Sequence, residues 1–500
     1  MGHLQFIRNF SRLFALEQSR SGAKHTLLLA WENTGQRSLE VSHAALRALK
    51  QQEKKALSRH RSWFRVRYLL AFWLFVLSGV AFLDRTNISI AGLQISREYG
   101  LGDQKLGGIF SAFLVGYAIF QVPAGWLATR WGPRRALALG AIWWGVTTAC
   151  TAALPSTIAY AMSWLIGIRF LLGAGEAIVY PAANQFVAQW VPFRERGFIN
   201  GLIFAGVGAG SGLTPPLLNW LITHHGWRAA FWFSAGIGIL VGIAWWFMAR
   251  DLPEEHPSVS DEELAESRDV PVRQIRRQET AAKTDPPARR RVSGLKLFFQ
   301  RRDLLALMLG YFSFGYIAWI FFSWFFLYMA QVRGLDLKAS AVFAMLPFLS
   351  MTVCCLAGGA LSDWIAVRWG LRAGRCGLAA FALGLTAVFL VLGSQAHSAG
   401  VAGTILAAGA GALYLSQSSF WSVSVDLAGR SSGLFSSIVN MGGQIGGAVT
   451  ASLTPWIAQR AGWTSSFGLA AFFAVAAAVC WLFVHPEQPL QLEPSPGDGV

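Results

Sequence analysis

Charge is what this sequence has least of. Of its 500 residues only 14% are Asp, Glu, Lys or Arg, against about 25% in an ordinary soluble protein. Cysteine is also scarce. Cys150, Cys354, Cys355, Cys376 and Cys480 each lie in or beside an apolar stretch with no C-x-x-C spacing. That argues against a zinc ribbon or a disulfide framework and leaves them as small packing residues. No Gly-rich loop of the G-x-x-x-x-G-K-[ST] kind is present, so ATP-driven work is not expected. No nucleophile–base pair or metal-ligand constellation stands out, so neither an enzyme nor a cofactor or metal protein is expected. No basic face with exposed aromatics is visible, which argues against a nucleic-acid partner.

What is there is apolar: 54% of the residues, with 22 Trp and 52 Gly. Trp favours lipid headgroups, and Gly lets membrane helices approach closely. The apolar residues come in blocks of the roughly 20 residues a helix needs to cross a bilayer. Six blocks fall near 67–95, 106–128, 135–154, 157–182, 198–221 and 229–249. Six more fall near 304–330, 339–366, 375–393, 399–425, 433–457 and 464–484. The first strong run starts near Tyr68 and is too long for a cleavable leader. The formal charge of +16 sits mainly in alternate loops and the N-terminal tail. By the positive-inside rule both termini and the central loop are expected in the cytoplasm.

Five segments follow: a basic cytoplasmic tail at 1–65, a six-helix half at 66–249, a linker at 250–302, a second half at 303–484 and a disordered tail at 485–500. The start of the first tail, Leu4 to Phe10, reads either as a weakly amphipathic segment on anionic lipid or as an overextended start. The linker is rich in Pro, Glu and Arg, closes with Arg289-Arg290-Arg291, and is expected to be flexible.

The two halves repeat. Arg130-Trp131-Gly132 returns as Arg368-Trp369-Gly370, the Arg196 loop returns at Arg430, and Gly226-Trp227 returns as Gly462-Trp463. Parallel six-helix repeats are the architecture of the major facilitator superfamily, whose substrate site lies between the halves. The expected fold class is therefore an all-α membrane protein of twelve transmembrane helices in two pseudo-symmetric halves. Gly125 to Arg135, with Arg130, Arg134 and Arg135, resembles that superfamily's loop between helices two and three. Thr129 stands where the acid is usual, while the second half keeps it in Asp363. The resemblance assigns Arg130, Arg134, Arg135 and Asp363 to the cytoplasmic gate, and Thr129 puts the first half's latch in doubt.

More specific are Leu83-Asp84-Arg85-Thr86-Asn87-Ile88 and the run from Arg169 through Gly173-Ala174-Gly175-Glu176 to Pro181. Both resemble the anion:cation symporter family, which includes permeases for sugar acids, tartrate and phthalate. The resemblance covers most of residues 66–484 and implies a monomer in the bacterial inner membrane that imports a small organic anion with protons.

The physical reading stands beside it. An ionisable side chain inside a bilayer costs about 2.5–3.5 kcal/mol on insertion scales, so Asp84, Arg85, Arg169 and Glu176 need a reason. Arg85 or Arg169 can offer a carboxylate a planar fork, and Asp84 or Glu176 can carry a proton. The plain alternative is that the four only neutralise one another. The second half offers polar groups instead, among them Trp319, Ser323, Trp324 and Gln417 to Ser419. The resemblance to sugar-acid permeases places Ser418, Trp421 and Asn440 where a substrate body is held, facing Tyr117; Trp324 joins them as a candidate. Helix five, with Gly201, Gly206, Gly208, Gly210 and Gly212 before Pro215-Pro216, partly matches the signature of drug antiporters. Thr214 and Leu218-Asn219 depart from that signature, so the glycines read as close helix contact and a kink. An efflux antiporter and a non-transporting anion sensor remain as alternative functions.

Overall fold

The computed structural model describes residues 65–101, 103–267, 302–335 and 337–488. The tail at 1–64, the part of the linker with Arg289 to Arg291, and residues 489–500 lie outside the described residues, as do the expectations made for them. The described residues form helices and no strands. In chain order the first half holds α1 (Val66–Tyr99), α2 (Asp103–Trp131), α3 (Pro133–Ala153), α4 (Ala161–Glu176), α5 (Val179–Trp190) and α6 (Arg196–Met248). A short α7 (Asp261–Ser267) follows. The second half holds α8 (Arg302–Ser323), α9 (Leu337–Trp369), α10 (Leu378–Gln395), α11 (Ala399–Leu415), α12 (Gln417–Ala428) and α13 (Ser432–Cys480).

Ten stretches among the described residues are long and apolar enough to cross a membrane. Two of them are too long for one crossing. α6 has 53 residues and α13 has 49, more than ~70 Å each if straight, against a hydrocarbon core of about 30 Å. Each turns back at a glycine in the left-handed region, Gly226 (φ 81°) and Gly462 (φ 83°), where a Cβ would be strained. These are the two Gly-Trp landmarks of the repeat. The turns raise ten stretches to twelve crossings among the described residues. At the first turn the Trp227 backbone N–H donates to Gln94 (3.1 Å), its indole N–H to Glu98 (2.7 Å), and Arg228 pairs with Glu98.

Leu213, Leu240, Phe247 and Phe381 are exposed on the outside of the bundle. So much bare apolar surface suits lipid, not water. Across the interface between halves α2 packs on α13 and α6 on α9. We call the end of the bundle that carries Arg65, the linker and His485 the proximal end, and the other the distal end.

The described part of the linker is not loose. Trp190 donates its indole N–H to the backbone carbonyls of Arg250 and Asp251, both at 3.1 Å. Asp251 accepts the Arg134 backbone N–H at 2.8 Å. Burial pulls the His256 imidazole below its usual range, and His256 packs edge-on against Trp190. α7 then caps α1: the buried Glu263 carboxylate accepts the backbone N–H groups of Val66 (3.2 Å) and Arg67 (2.9 Å). Those groups have no partner within their own helix. Arg67 joins Glu195 and Glu266, each at 2.9 Å, and Arg65 also reaches Glu266. The flexibility expected of the linker therefore fails for 251–267. Counting apolar residues misses a segment held by charges and helix caps. Glu263→Ala should lower stability by about 1–3 kcal/mol, read as earlier thermal unfolding in detergent, while Glu262→Ala on the exposed side of α7 should stay near wild type. Equal midpoints for the two variants would refute the cap.

Candidate functional site

The fourth crossing is broken in its middle. Pro181 has no N–H to give the carbonyl four residues back, so α4 ends at Glu176 and α5 starts at Val179. Gln121 of α2 donates instead to the Ala177 carbonyl at 3.3 Å. The tenth crossing breaks at the corresponding place, between α11 and α12 at Ser416. Polar side chains gather at both breaks.

At the first break Glu176 is fully buried, and close packing surrounds it. A Cβ on Gly173 would meet the Phe113 carbonyl of α2, and one on Gly175 the Trp143 ring of α3. One carboxylate oxygen of Glu176 accepts Arg85 Nε at 2.7 Å; the other has no partner. The Arg85 guanidinium lies over the rings of Tyr117 (4.7 Å), Phe82 (4.9 Å), Phe113 (5.6 Å) and Tyr180 (5.9 Å). Its Nη2 has no partner. Cation–π contacts of this kind hold a guanidinium while leaving its edge available.

Asp84 is one residue earlier, about 100° around the helix, and faces elsewhere. It accepts from Asn87 and Thr148, both at 3.3 Å, and its Oδ2 is unpartnered. Arg169 is buried over Phe113 at 5.2 Å, with Nε and Nη1 unpartnered and with Asp84 and Glu176 as its nearby charges. Four buried ionisable groups, two acids and two arginines, thus form one cluster reaching from α1 to α4.

A cavity of about 60 Å³ lies between the halves next to this cluster. Phe82, Arg85, Tyr180, Phe204 and Val207 line it from the first half. Tyr311, Phe314, Trp319 and Phe322 of α8, Tyr414, and the amides Gln417, Asn440 and Gln444 line it from the second. Of the residues singled out in the sequence, Arg85, Trp319, Gln417 and Asn440 form the wall directly. Tyr117 supports both, stacking on Arg85 and accepting Asn440 Nδ2 at 3.3 Å. Trp421 stands behind the wall, against Phe204 (4.8 Å), and donates to the Tyr311 hydroxyl at 3.1 Å. Ser418 is buried with its hydroxyl unpartnered, and neither it, Arg169 nor Trp324 lines the cavity. Trp319, more than a turn earlier than Trp324, does. The residue missed from the sequence is Tyr311, which read as one more aromatic of an apolar run.

The proximal end holds a second polar set. Asp363 accepts the backbone N–H groups of Gly197 (2.9 Å) and Phe198 (2.7 Å) and pairs with Arg375 at 2.7 Å. Arg375 continues to Asp426 (3.4 Å), which pairs with Arg196 at 2.7 Å. The reciprocal caps, from the first half to α13, carry no charge. Thr129 accepts the Leu434 N–H at 3.1 Å, and Gln185 accepts the Gly433 N–H at 3.0 Å. Each half thereby caps the first turn of a helix in the other, α6 by Asp363 and α13 by Thr129 with Gln185. Where the usual acid is missing, a neutral pair does the capping. Arg130 and Arg135 are exposed, with Arg130 over Trp126 (5.4 Å). Arg134 bonds within its own half, to the Trp246 carbonyl at 3.0 Å.

The family model described as Major Facilitator Superfamily matches residues 74–439. The chain belongs to the Major Facilitator Superfamily. Its twelve crossings and repeated halves fit that membership, and as a member it is a multi-pass membrane transport protein and not an enzyme. Among similar superfamily proteins is one described as "Probable sulfoacetate transporter" of Cupriavidus necator, 30% identical over 84% of this chain and 94% of its own length. Another is "Probable galactarate/D-glucarate transporter" of Escherichia coli, 28% identical over 84% and 94%. A solved proton:xylose symporter matches with a TM-score of 0.66 at 16% identity, over 84% of this chain and 97% of that one. At that identity the likeness speaks for the superfamily's fold alone.

Proposed function

We propose that this protein carries a small organic anion across a bacterial inner membrane together with protons, by opening its central cavity alternately to the two sides. The observation that carries the reading is Arg85: one edge holds Glu176, and the unpartnered Nη2 belongs to a residue of the cavity wall. An oxyanion suits that position. The relatives described as probable sulfoacetate and galactarate/D-glucarate transporters support the same class of cargo, since each of those compounds is an organic anion. Proton coupling follows from the energetics. Importing one negative charge against an inside-negative potential costs about 2.3 kcal/mol per 100 mV, which one co-transported proton cancels. Asp84 and Glu176 are the buried acids beside the cavity, and we assign the protons to them.

By the positive-inside rule the proximal end is cytoplasmic. The latches there hold this conformation closed on that side, and Asp363, Thr129 and Gln185 release it when the halves rock. The test is uptake into proteoliposomes with and without an imposed proton gradient, over a panel of organic acids. Gradient-driven accumulation of a small anion is expected; uptake indifferent to the gradient, or efflux of cationic drugs, would overturn the reading. The latch has its own test. Restoring the acid with Thr129→Asp places a charge at the positive end of α13 and should shift spin-label distances across the proximal face toward the closed state. An unchanged distance distribution would count against the latch.

A further inference from the structure

The second half of the cavity carries a hydrogen-bonding device that the anion reading does not use. The Tyr311 hydroxyl accepts two hydrogen bonds, from Gln417 Nε2 at 3.0 Å and from Trp421 Nε1 at 3.1 Å. A phenolic oxygen has two acceptor sites and one donor. With both acceptor sites filled, its own proton must be given to something else. Gln417 Oε1 is buried and has no partner either. Reversing the Gln417 amide does not remove the excess. Tyr311 would then donate to Gln417, and the Gln417 NH₂ would be left with hydrogens to give. Trp421 can only donate, so in both orientations the Tyr311–Gln417 pair keeps a spare donor, and both residues line the cavity. An unmet buried donor costs about 1–3 kcal/mol, which a bound acceptor recovers.

We propose that Tyr311 and Gln417 form a second anchor, donating to an acceptor oxygen at the end of the anion remote from Arg85. The inference rests on the anion-transport reading and narrows it. The cargo is a short anion with oxygen acceptors at both ends, a dicarboxylate or a sulfonated carboxylate. Two further features agree. The cavity has room for only a handful of water molecules. Eight of its lining side chains are aromatic, bulky walls that suit a short cargo held at its two polar ends.

The experiment is calorimetric binding to the purified full-length protein with five probes. Sulfoacetate and malonate have two oxygen-bearing ends, acetate and methanesulfonate have one, and galactarate is the long polyhydroxylated case. The wild-type protein should bind the two-ended short anions at least about tenfold more tightly than the others. Tyr311→Phe removes the hydroxyl, and with it both the donor to the anion and the acceptor that Gln417 and Trp421 share. It should weaken the two-ended anions about tenfold and the one-ended ones clearly less, so that the preference for two ends shrinks. Gln417→Leu, which disturbs the pair from its other side, should move binding in the same direction. Wild-type affinity for sulfoacetate and malonate in both variants would overturn the second anchor while leaving anion transport standing. So would equal binding of one-ended and two-ended probes, or tighter binding of galactarate. Failure of every anion to bind would bring down the underlying reading too.

Discussion

The Glu176→Gln protein is expected to bind its anion and exchange it across the membrane, yet fail to accumulate it against a gradient. Glu176 is fully buried, and Arg85 is its only hydrogen-bond partner among the described residues. An anion arriving at Arg85 competes for the guanidinium. Glu176 is then left as a buried charge with a weakened partner, a state that costs several kcal/mol. Taking a proton relieves that cost, so anion and proton favour each other's binding, and the coupling is reciprocal by thermodynamic necessity. Glutamine keeps the shape and mimics the protonated acid. With no proton to lose, the variant can shuttle a loaded carrier both ways, but the gradient no longer drives it. Counterflow at near wild-type rate with accumulation reduced at least tenfold is the expected pair of readings. Accumulation at wild-type level would remove Glu176 from the coupling. Loss of exchange as well would mean that the four charges only hold α1 and α4 together. A partial defect would bring in Asp84, whose Oδ2 is also unpartnered.

Arg85→Lys should lose about ten- to a hundredfold in anion affinity although the charge is kept. The estimate follows from the roughly 1.5–3 kcal/mol carried by a hydrogen bond to a charged group. An ammonium is a compact point charge and cannot bond Glu176 with one edge while presenting another to the cavity. It would also give up the flat stacking against Tyr117 and Phe82. Arg169→Lys offers the contrast. Its guanidinium lies off the cavity wall, so binding should suffer less than at Arg85. Calorimetry on both variants decides the matter: undiminished binding in Arg85→Lys, or an equal loss in both, would sink the assignment of Arg85 as the anion's first contact.

The charged cluster was legible in the sequence because membranes make charge expensive, so four ionisable residues inside apolar blocks announce themselves. The turns at Gly226 and Gly462 were legible as repeated landmarks. Tyr311 was not, since an aromatic in an apolar run reads as packing until its hydroxyl partners on α12 are seen. Arg375 and Asp426 fell at the edges of the expected crossings, where charge needs no explanation, and only folding brings them to Asp363 and Arg196. The neutral cap was hidden for a different reason: Thr129 and Leu434 are 305 residues apart, and a threonine where an acid is usual looks like a loss. The docking of 251–267 was missed because helix caps and ion pairs leave no trace in hydropathy.

The break in the fourth crossing has a mechanical meaning. α4 carries the buried carboxylate, and α5 carries Gln185, whose amide grips the start of α13. Between them the ladder lacks a rung at Ala177, whose carbonyl is taken up by the Gln121 amide of α2 instead. In the proposed rocking of the halves, torque would reach Glu176 through this weakened joint of the rod. In the proposed cycle that joint would let the proximal segment move with α13 while the distal segment keeps Glu176 at its post.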